Sequence, residues 1–261
     1  MDKYNRRKLL LFDLDDTLLR SDKTISRRTR EALQACRDQG ILIGISTSRA
    51  VHNCIPFLRE LEPDLIIASG GAVIRYRGDD IYAAEFTAAQ TRSMIHMARN
   101  ICGADCEITV DTLDAHYWNY KVDPNQSDAT WGDTIYSDYR DFSGKALKIC
   151  VEIFDDSQAK QLADLLPDCD CLKFNATQWY KFTKKEATKE KAVIRACQLC
   201  AIALEDVTAF GDDVPDIGML KLCGTGIAMG NALPAVKEAA DLVIGGNDED
   251  GIAEYLEYFF P

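Results

Sequence analysis

Short runs of apolar, β-prone residues alternate with stretches of helical period along the first third of the chain. KLLLFDL (8–14), ILIGIS (41–46) and LIIAS (65–69) are too short for helices and apolar at nearly every position, the pattern of strands buried on both faces. Between the first two, SRRTREALQACRDQG offers Ser26 as an N-cap, an apolar face of Ala32, Leu33, Ala35 and Cys36, and Gly40 as a stop. Strand, helix, strand, helix, strand predicts a parallel sheet with helices on both faces.

The last third repeats this rhythm: a helix over 189–203, the strand DVTAFG, a helix over 215–222, the strand GTGIAMG, a helix over 232–240, then DLVIG. The two thirds read as halves of one sheet. In the middle, RYRGDDIYAAEF predicts a hairpin around Gly78 and Asp79, and Thr87 with Gln90 forms a capping box for a helix to 101. HYWNYKV, ALKICVEIF, DCLKF and TQWYKF then read as strands around one helix over 156–166. Many strands with few helices predict an α+β domain at 84–184, inserted into an α/β core with a mostly parallel sheet made from 1–83 and 185–261.

At 261 residues and 47% apolar, the chain can fill one large core or two modest ones. Thirty Lys and Arg against 42 Asp and Glu give a formal charge of −12, which leaves no broad positive field for nucleic acid or anionic lipid. No nucleic acid and no membrane are therefore expected as partners, and an anionic substrate needs a local device: a metal, a lysine or a helix N-terminus. The opening MDKYNRRKLLLFDLDD has basic residues before an apolar run, but that run is short and breaks into carboxylates, unlike a signal peptide. A cytoplasmic setting with ten reduced cysteines is the expectation. Of the close pairs Cys102 and Cys106, Cys169 and Cys171, and Cys197 and Cys200, the last falls inside a predicted helix, and packing explains all three better than zinc.

In FDLDDTLL (12–19) an apolar strand delivers Asp13 and Asp15 two residues apart at its C-terminal end, where both carboxylates can face one crevice. Two such charges are costly together unless a cation joins them, and magnesium, which prefers carboxylate oxygens and keeps room for a phosphate, suits the need. An acidic turn after a strand is the plainer reading of the same residues. GDDVPD (211–216) places Asp212 at a second strand end and Asp216 a turn later, able to hold a metal water or orient Lys189; a capping turn would also account for it. STSR (46–49) follows the second strand, ILIGIS, and is expected to open a helix, with Thr47, Ser48 and their N–H groups at a phosphate site or as caps. Lys189 in EATKEKAV starts a helix and can reach the same pocket, although Lys184, Lys185 and Lys191 also suit a solvated face. Ligands in open α/β sheets bind outside such strand ends.

The order DxDxT, then Thr47, then Lys189, then GDxxxD resembles the haloacid dehalogenase superfamily of phosphohydrolases over the whole chain. The inserted middle and the stretch GNALPAVKEAADLVIGGNDEDGIAEYL are similar to its Cof-like branch, subfamily IIB. The resemblance implies a Rossmann-like core, a mobile α+β cap domain, and a Mg2+-dependent hydrolase acting on a small phosphorylated metabolite, with sugar phosphates leading. It implies Asp13 as nucleophile, Asp15 as acid/base that also lends the metal a backbone carbonyl, and Thr47, Ser48 and Lys189 on the phosphoryl group. Asp13, Asp15 and Asp212 would hold magnesium, with Asp216 and Asn231 in support and Asn247 at another polar position. Departures are Ser48 within TGR, Gly70, Gly71 and Ala72 in place of NGA, Pro215 for the Asn of GDxxND, and Glu190 for a Gly. In the cap, Trp118, Tyr120, Trp179, Tyr180 and Lys181 are candidates to face the substrate, or to pack the sheet, while His116 reads as a surface or satisfied polar residue. A phosphomutase, or a catalytically weak sensor of a phosphorylated ligand, would use the same residues; the oligomeric state is not legible.

Overall fold

The computed structural model describes residues 7–120, 134–174 and 177–261, so Lys121 and Val122 of the HYWNYKV run lie outside the described residues. In chain order the strands are β1 (Leu9–Phe12), β2 (Leu42–Ser46), β3 (Leu65–Ala68), β4 (Val73–Tyr76), β5 (Asp79–Ala83), β6 (Ile108–Asp111) and β7 (His116–Trp118). They continue as β8 (Ile135–Tyr136), β9 (Lys148–Glu152), β10 (Cys169–Lys173), β11 (Trp179–Lys184), β12 (Val207–Gly211), β13 (Thr225–Ala228) and β14 (Leu242–Val243). The helices are α1 (Arg27–Asp38), α2 (Val51–Leu58), α3 (Ala88–Cys102), α4 (Asp156–Asp164), α5 (Lys189–Cys200), α6 (Ile217–Leu222), α7 (Pro234–Ala239) and α8 (Gly251–Phe259). Among the described residues no helix is long and apolar enough to cross a membrane.

One sheet runs β14-β13-β12-β1-β2-β3-β4-β5, parallel except for the antiparallel β4 and β5 at its edge. Its first and last thirds meet where β1 lies parallel between β12 and β2, with Leu9 opposite Val207 and Leu42, and Phe12 opposite Phe210 and Ile45. Every residue of β1, β2 and β3 is buried, as continuous apolar strands under helices on both faces should be. Ser26 caps α1 by accepting from Thr29 N, and Ala32, Leu33 and Cys36 enter the core. Ala35, expected on that face, is exposed, because the buried stripe is narrower than the apolar pattern suggested.

The second sheet runs β10-β11-β9-β6-β7-β8, and its period-two alternation gives it two unlike faces. Ile108, Val110, Ile149, Val151, Tyr180 and Phe182 pack with Met94, Ile95 and Ala98 of α3 and Ala159 and Leu162 of α4 into a core separate from the first. The alternate residues, including Thr109, Asp111, His116, Lys148 and Cys150, turn the other way. The Thr87–Gln90 capping box that starts α3 is present in full.

Candidate active site

Because β12, β1 and β2 are parallel neighbours, the residues after each strand emerge side by side. Asp13 follows β1, its N–H donating to Phe210 O of β12 (2.9 Å); Asp212 follows β12, and Thr47 follows β2. Lys189, the first residue of α5, reaches into the same place. Its Nζ donates to Asp13 Oδ1 (2.5 Å) and Asp216 Oδ1 (2.6 Å), and all three side chains are buried. Gly71, φ +106°, lets the loop after β3 press on the start of α5: a Cβ there would stand 2.3 Å from Thr188 O. A side chain at 71 would thus push Lys189 out of register.

Asp13, Asp212 and Asp216 place carboxylate oxygens within 4.8 Å of one another. Asp216 Oδ2 also accepts from the N–H groups of Asp212 and Asp213, which ties the cluster to the turn over Val214–Asp216. Burial pushes the Asp13 carboxyl well above the usual range, with Lys189 opposing and Asp216 and Asp212 adding to the shift. Asp212 is pushed up to about 7, again chiefly by burial. For Lys189, burial opposes ionisation, but Asp13 and Asp216 outweigh it and keep the ammonium charged. Two buried carboxylates and the half-buried Asp212 against one ammonium leave excess negative charge on hard oxygen donors, which a divalent cation would satisfy.

Asp15, expected to offer a metal its backbone carbonyl, turns its side chain away from the carboxylate cluster. β1 ends at Phe12, so Asp13 and Asp15 lie past the strand, in a loop where Asp16 takes a left-handed conformation (φ 59°). The Asp15 carboxylate accepts from Arg49 Nε (2.6 Å) and Nη2 (2.8 Å) and from Lys23 Nζ (3.1 Å) rather than joining the cluster. Burial opposes them, but Arg49 and Lys23 hold its carboxyl below the usual range, in the ionised form that takes a proton. The threonine of DxDxT also has a partner that spacing did not disclose: Thr17 Oγ1 donates to Asp212 Oδ1 (2.6 Å).

Thr47 and Ser48 line the cavity, but Ser46 ends β2 and α2 begins only at Val51, so residues 47–49 are a loop and STSR does not open the helix as expected. Thr47 N–H continues the sheet to Ile67 O (2.8 Å), and its hydroxyl accepts from Arg49 N (3.1 Å), which leaves no Thr47 N–H for a ligand. Asn231 lies off the cavity: its Nδ2 donates to Asp16 O (2.7 Å), and its Oδ1 accepts from Asn247 N (3.1 Å). Asn247 Nδ2 donates to Leu19 O (3.0 Å), so both asparagines brace the Asp13–Leu19 loop from behind.

The polar face of the second sheet closes this floor into a cavity of about 530 Å³, lined on that side by Thr109, Asp111, His116, Trp118, Lys148 and Trp179. Trp118 and Trp179 meet edge to face at 5.9 Å, and Tyr120 packs edge-on against Trp118. Tyr180 is on the opposite face, its hydroxyl donating to Asp156. Of the two readings of His116, the satisfied polar residue is the one observed: it is buried rather than at the surface, and its Nδ1 pairs with Asp111 Oδ1 at 2.6 Å. Asp111 Oδ2 pairs with Lys148 Nζ (2.7 Å) and accepts from Ser69 Oγ (3.2 Å), while Lys148 Nζ also donates to Ser48 O (2.8 Å). The second sheet is thereby hydrogen-bonded to the loops after β2 and β3.

Burial would raise the Asp111 pKa, yet Lys148 and His116 hold it well below the usual range. Its ionisation therefore stabilises the fold above about pH 4, and that share is lost as the pH falls further toward the folded value. Asp111→Asn leaves Lys148 buried without a counter-charge and is expected to cost about 3–5 kcal/mol at pH 7. Thermal melting of the two proteins at pH 7 checks this, and an unchanged midpoint would contradict it.

Residues 10–256 match the sequence profile of the haloacid dehalogenase-like hydrolases. A 5-amino-6-(5-phospho-D-ribitylamino)uracil phosphatase of Bacillus subtilis is 25% identical over 264 residues, 97% of each chain. A second phosphatase of that name from the same organism is 27% identical, covering 97% of this chain and 95% of its own. Among solved structures, a subclass IIB sugar phosphatase of the same superfamily superposes with a TM-score of 0.82 at 25% identity, over 97% of this chain and 98% of its own. The chain belongs to the haloacid dehalogenase-like hydrolases, and it is a phosphatase.

Proposed function

We propose that the protein is a magnesium-dependent phosphohydrolase of a small phosphorylated metabolite, a sugar phosphate foremost, acting through an aspartyl-phosphate on Asp13. The observation that carries this reading is the Asp13 carboxylate at the cavity floor, 2.5 Å from Lys189 Nζ and clustered with Asp212 and Asp216. Residues 84–184 act as the cap over a core of 1–83 and 185–261, in keeping with the division of strands between the two sheets.

Asp13 and Asp212, with Asp216 behind them, would hold the cation, and when bound it supplies the positive charge that lets a carboxylate approach an anionic phosphate. Asp15 would contribute its backbone carbonyl, since its side chain is engaged by Arg49 and Lys23. Lys189 neutralises phosphoryl oxygens whose charge grows in a loose transition state, and Thr47 and Ser48 border the same place. Asp13 attacks phosphorus and the ester oxygen leaves. Asp15, once it turns from Arg49 and Lys23 and takes up a proton, donates it to that oxygen, and then removes one from the water that hydrolyses the phospho-Asp13. Trp118 and Trp179 give an apolar wall for the face of a sugar or a heterocycle, and covering the site keeps water out of the first step. The mutase and sensor readings find no support among relatives described as phosphatases.

The test is phosphate release from sugar, nucleotide and cofactor phosphates, with 5-amino-6-(5-phospho-D-ribitylamino)uracil in the panel. Release is expected to fall to background in EDTA and return with excess magnesium; release indifferent to EDTA after exhaustive dialysis would sink the divalent-cation reading.

A further inference from the structure

Around the site, buried cations come with carboxylates: Lys189 with Asp13 and Asp216, Lys148 with Asp111, Arg49 with Asp15. Lys181 differs. It is 6% exposed and, among the described residues, its ammonium forms no ion pair or hydrogen bond. Its side chain leaves the same sheet face as the cavity wall, opposite the lining residue Cys150 across β11 and β9, and lies beside that lining rather than within it. Burial first, and then the Lys148 charge, push its pKa down to about 8, so a counter-charge is wanting there.

The place it occupies is made by a departure from the family pattern. Gly70 stands where NGA would have its asparagine, and a Cβ on Gly70 would lie 2.8 Å from Lys181 Nζ. Gly70 N also donates to Thr47 O (3.0 Å), so the notch adjoins the loop bordering the phosphate. The amide of the NGA pattern is thus exchanged for an ammonium delivered from the opposite sheet.

We infer that Lys181 is the cation of a subsite that binds a second anionic group of the substrate, a carboxylate or a further phosphate, beside the phosphate to be cleaved. This rests on the phosphatase reading above and narrows it: the substrate is a phosphate ester with a second negative charge on its leaving portion. A charged hydrogen bond inside a buried site discriminates strongly against a partner that lacks the charge, because the ammonium is then left unpaired.

Competition against p-nitrophenyl phosphate hydrolysis tests it, using 6-phosphogluconate against sorbitol 6-phosphate for a carboxylate, and fructose 1,6-bisphosphate against fructose 1-phosphate for a second phosphate. In at least one pair the more anionic ligand is expected to bind about tenfold or more tightly than its partner. Lys181→Met should shrink that ratio to about threefold or less. Gly70→Asn should do the same by filling the notch, because asparagine accepts the left-handed backbone, φ +70°. The ratio is internal to each protein, so a general loss of rate or stability in one variant does not obscure it. Equal binding within both pairs, or a ratio that survives both substitutions, would overturn the subsite. Calorimetric titration of the Asp13→Asn protein with the same ligands reads the subsite without turnover, so a failed aspartyl-phosphate mechanism and a failed subsite give different results.

Discussion

Asp13→Asn is expected to lower kcat for phosphate release by about 10⁴-fold or more, because an amide oxygen is a poor nucleophile toward phosphorus and no other described side chain occupies its place. The fold should not suffer. Asparagine still offers Oδ1 to Lys189, and one charge is removed from a cluster in which burial already raises the pKa values of Asp13 and Asp212. Without metal, the melting temperature should therefore hold or rise while activity disappears. Acid-quenched wild type, mixed with a labelled substrate, should retain label that alkali releases, and the Asp13→Asn protein should retain none. Label persisting on the variant would place the nucleophile elsewhere.

The cavity floor was legible because its residues sit in elements that local patterns reveal. Asp13, Thr47 and Asp212 each follow an apolar run, and parallel strands joined by helices must put those ends on one edge of the sheet. Lys189 was legible as a helix start, and the structure adds Thr188 as its cap. The partners of these residues were not. Arg49 stands in the quoted STSR, yet nothing local says that its guanidinium crosses to Asp15, 34 residues earlier, or that Thr17 reaches Asp212, 195 residues later.

The polar wall was hidden for a different reason. Asp111, His116 and Lys148 form one row only because β6 pairs with both β7 and β9 in a register that aligns Asp111 with His116 and Lys148. Alternation tells which residues share a face of one strand, and it separates Trp179 and Lys181 from Tyr180, but it does not align three strands or say which face meets the other sheet. The misplaced helix start after β2 has a local cause: Thr47 prolongs the sheet to Ile67, and turning the chain into α2 takes the residues up to Ala50.

Lys189→Met is the substitution expected to damage both activity and stability most, and its pH dependence separates an electrostatic role from mere packing. Methionine replaces the aliphatic stem but leaves Asp13 and Asp216 buried without their shared ammonium, a loss of about 3–5 kcal/mol. In a chain of this size that lowers the melting temperature by roughly 10 °C. Excess magnesium should recover part of the loss, since a cation bound to the folded state alone stabilises it. The sign with pH follows from linkage. Burial already raises the pKa values of Asp13 and Asp212, to about 7 for Asp212, and removing the lysine withdraws a charge that lowers both. Carboxyls with folded pKa values above their unfolded ones take up protons in the folded state first, so stability falls as pH rises through that interval. The deficit of Lys189→Met against wild type should consequently be smaller at pH 5 than at pH 8, and Asp216→Asn in the same chain should reduce it, because one unpaired charge is gone. A deficit of equal size at both pH values, unmoved by Asp216→Asn, would mean that Lys189 is held for its packing, and the charge balance argued for the cluster would be wrong.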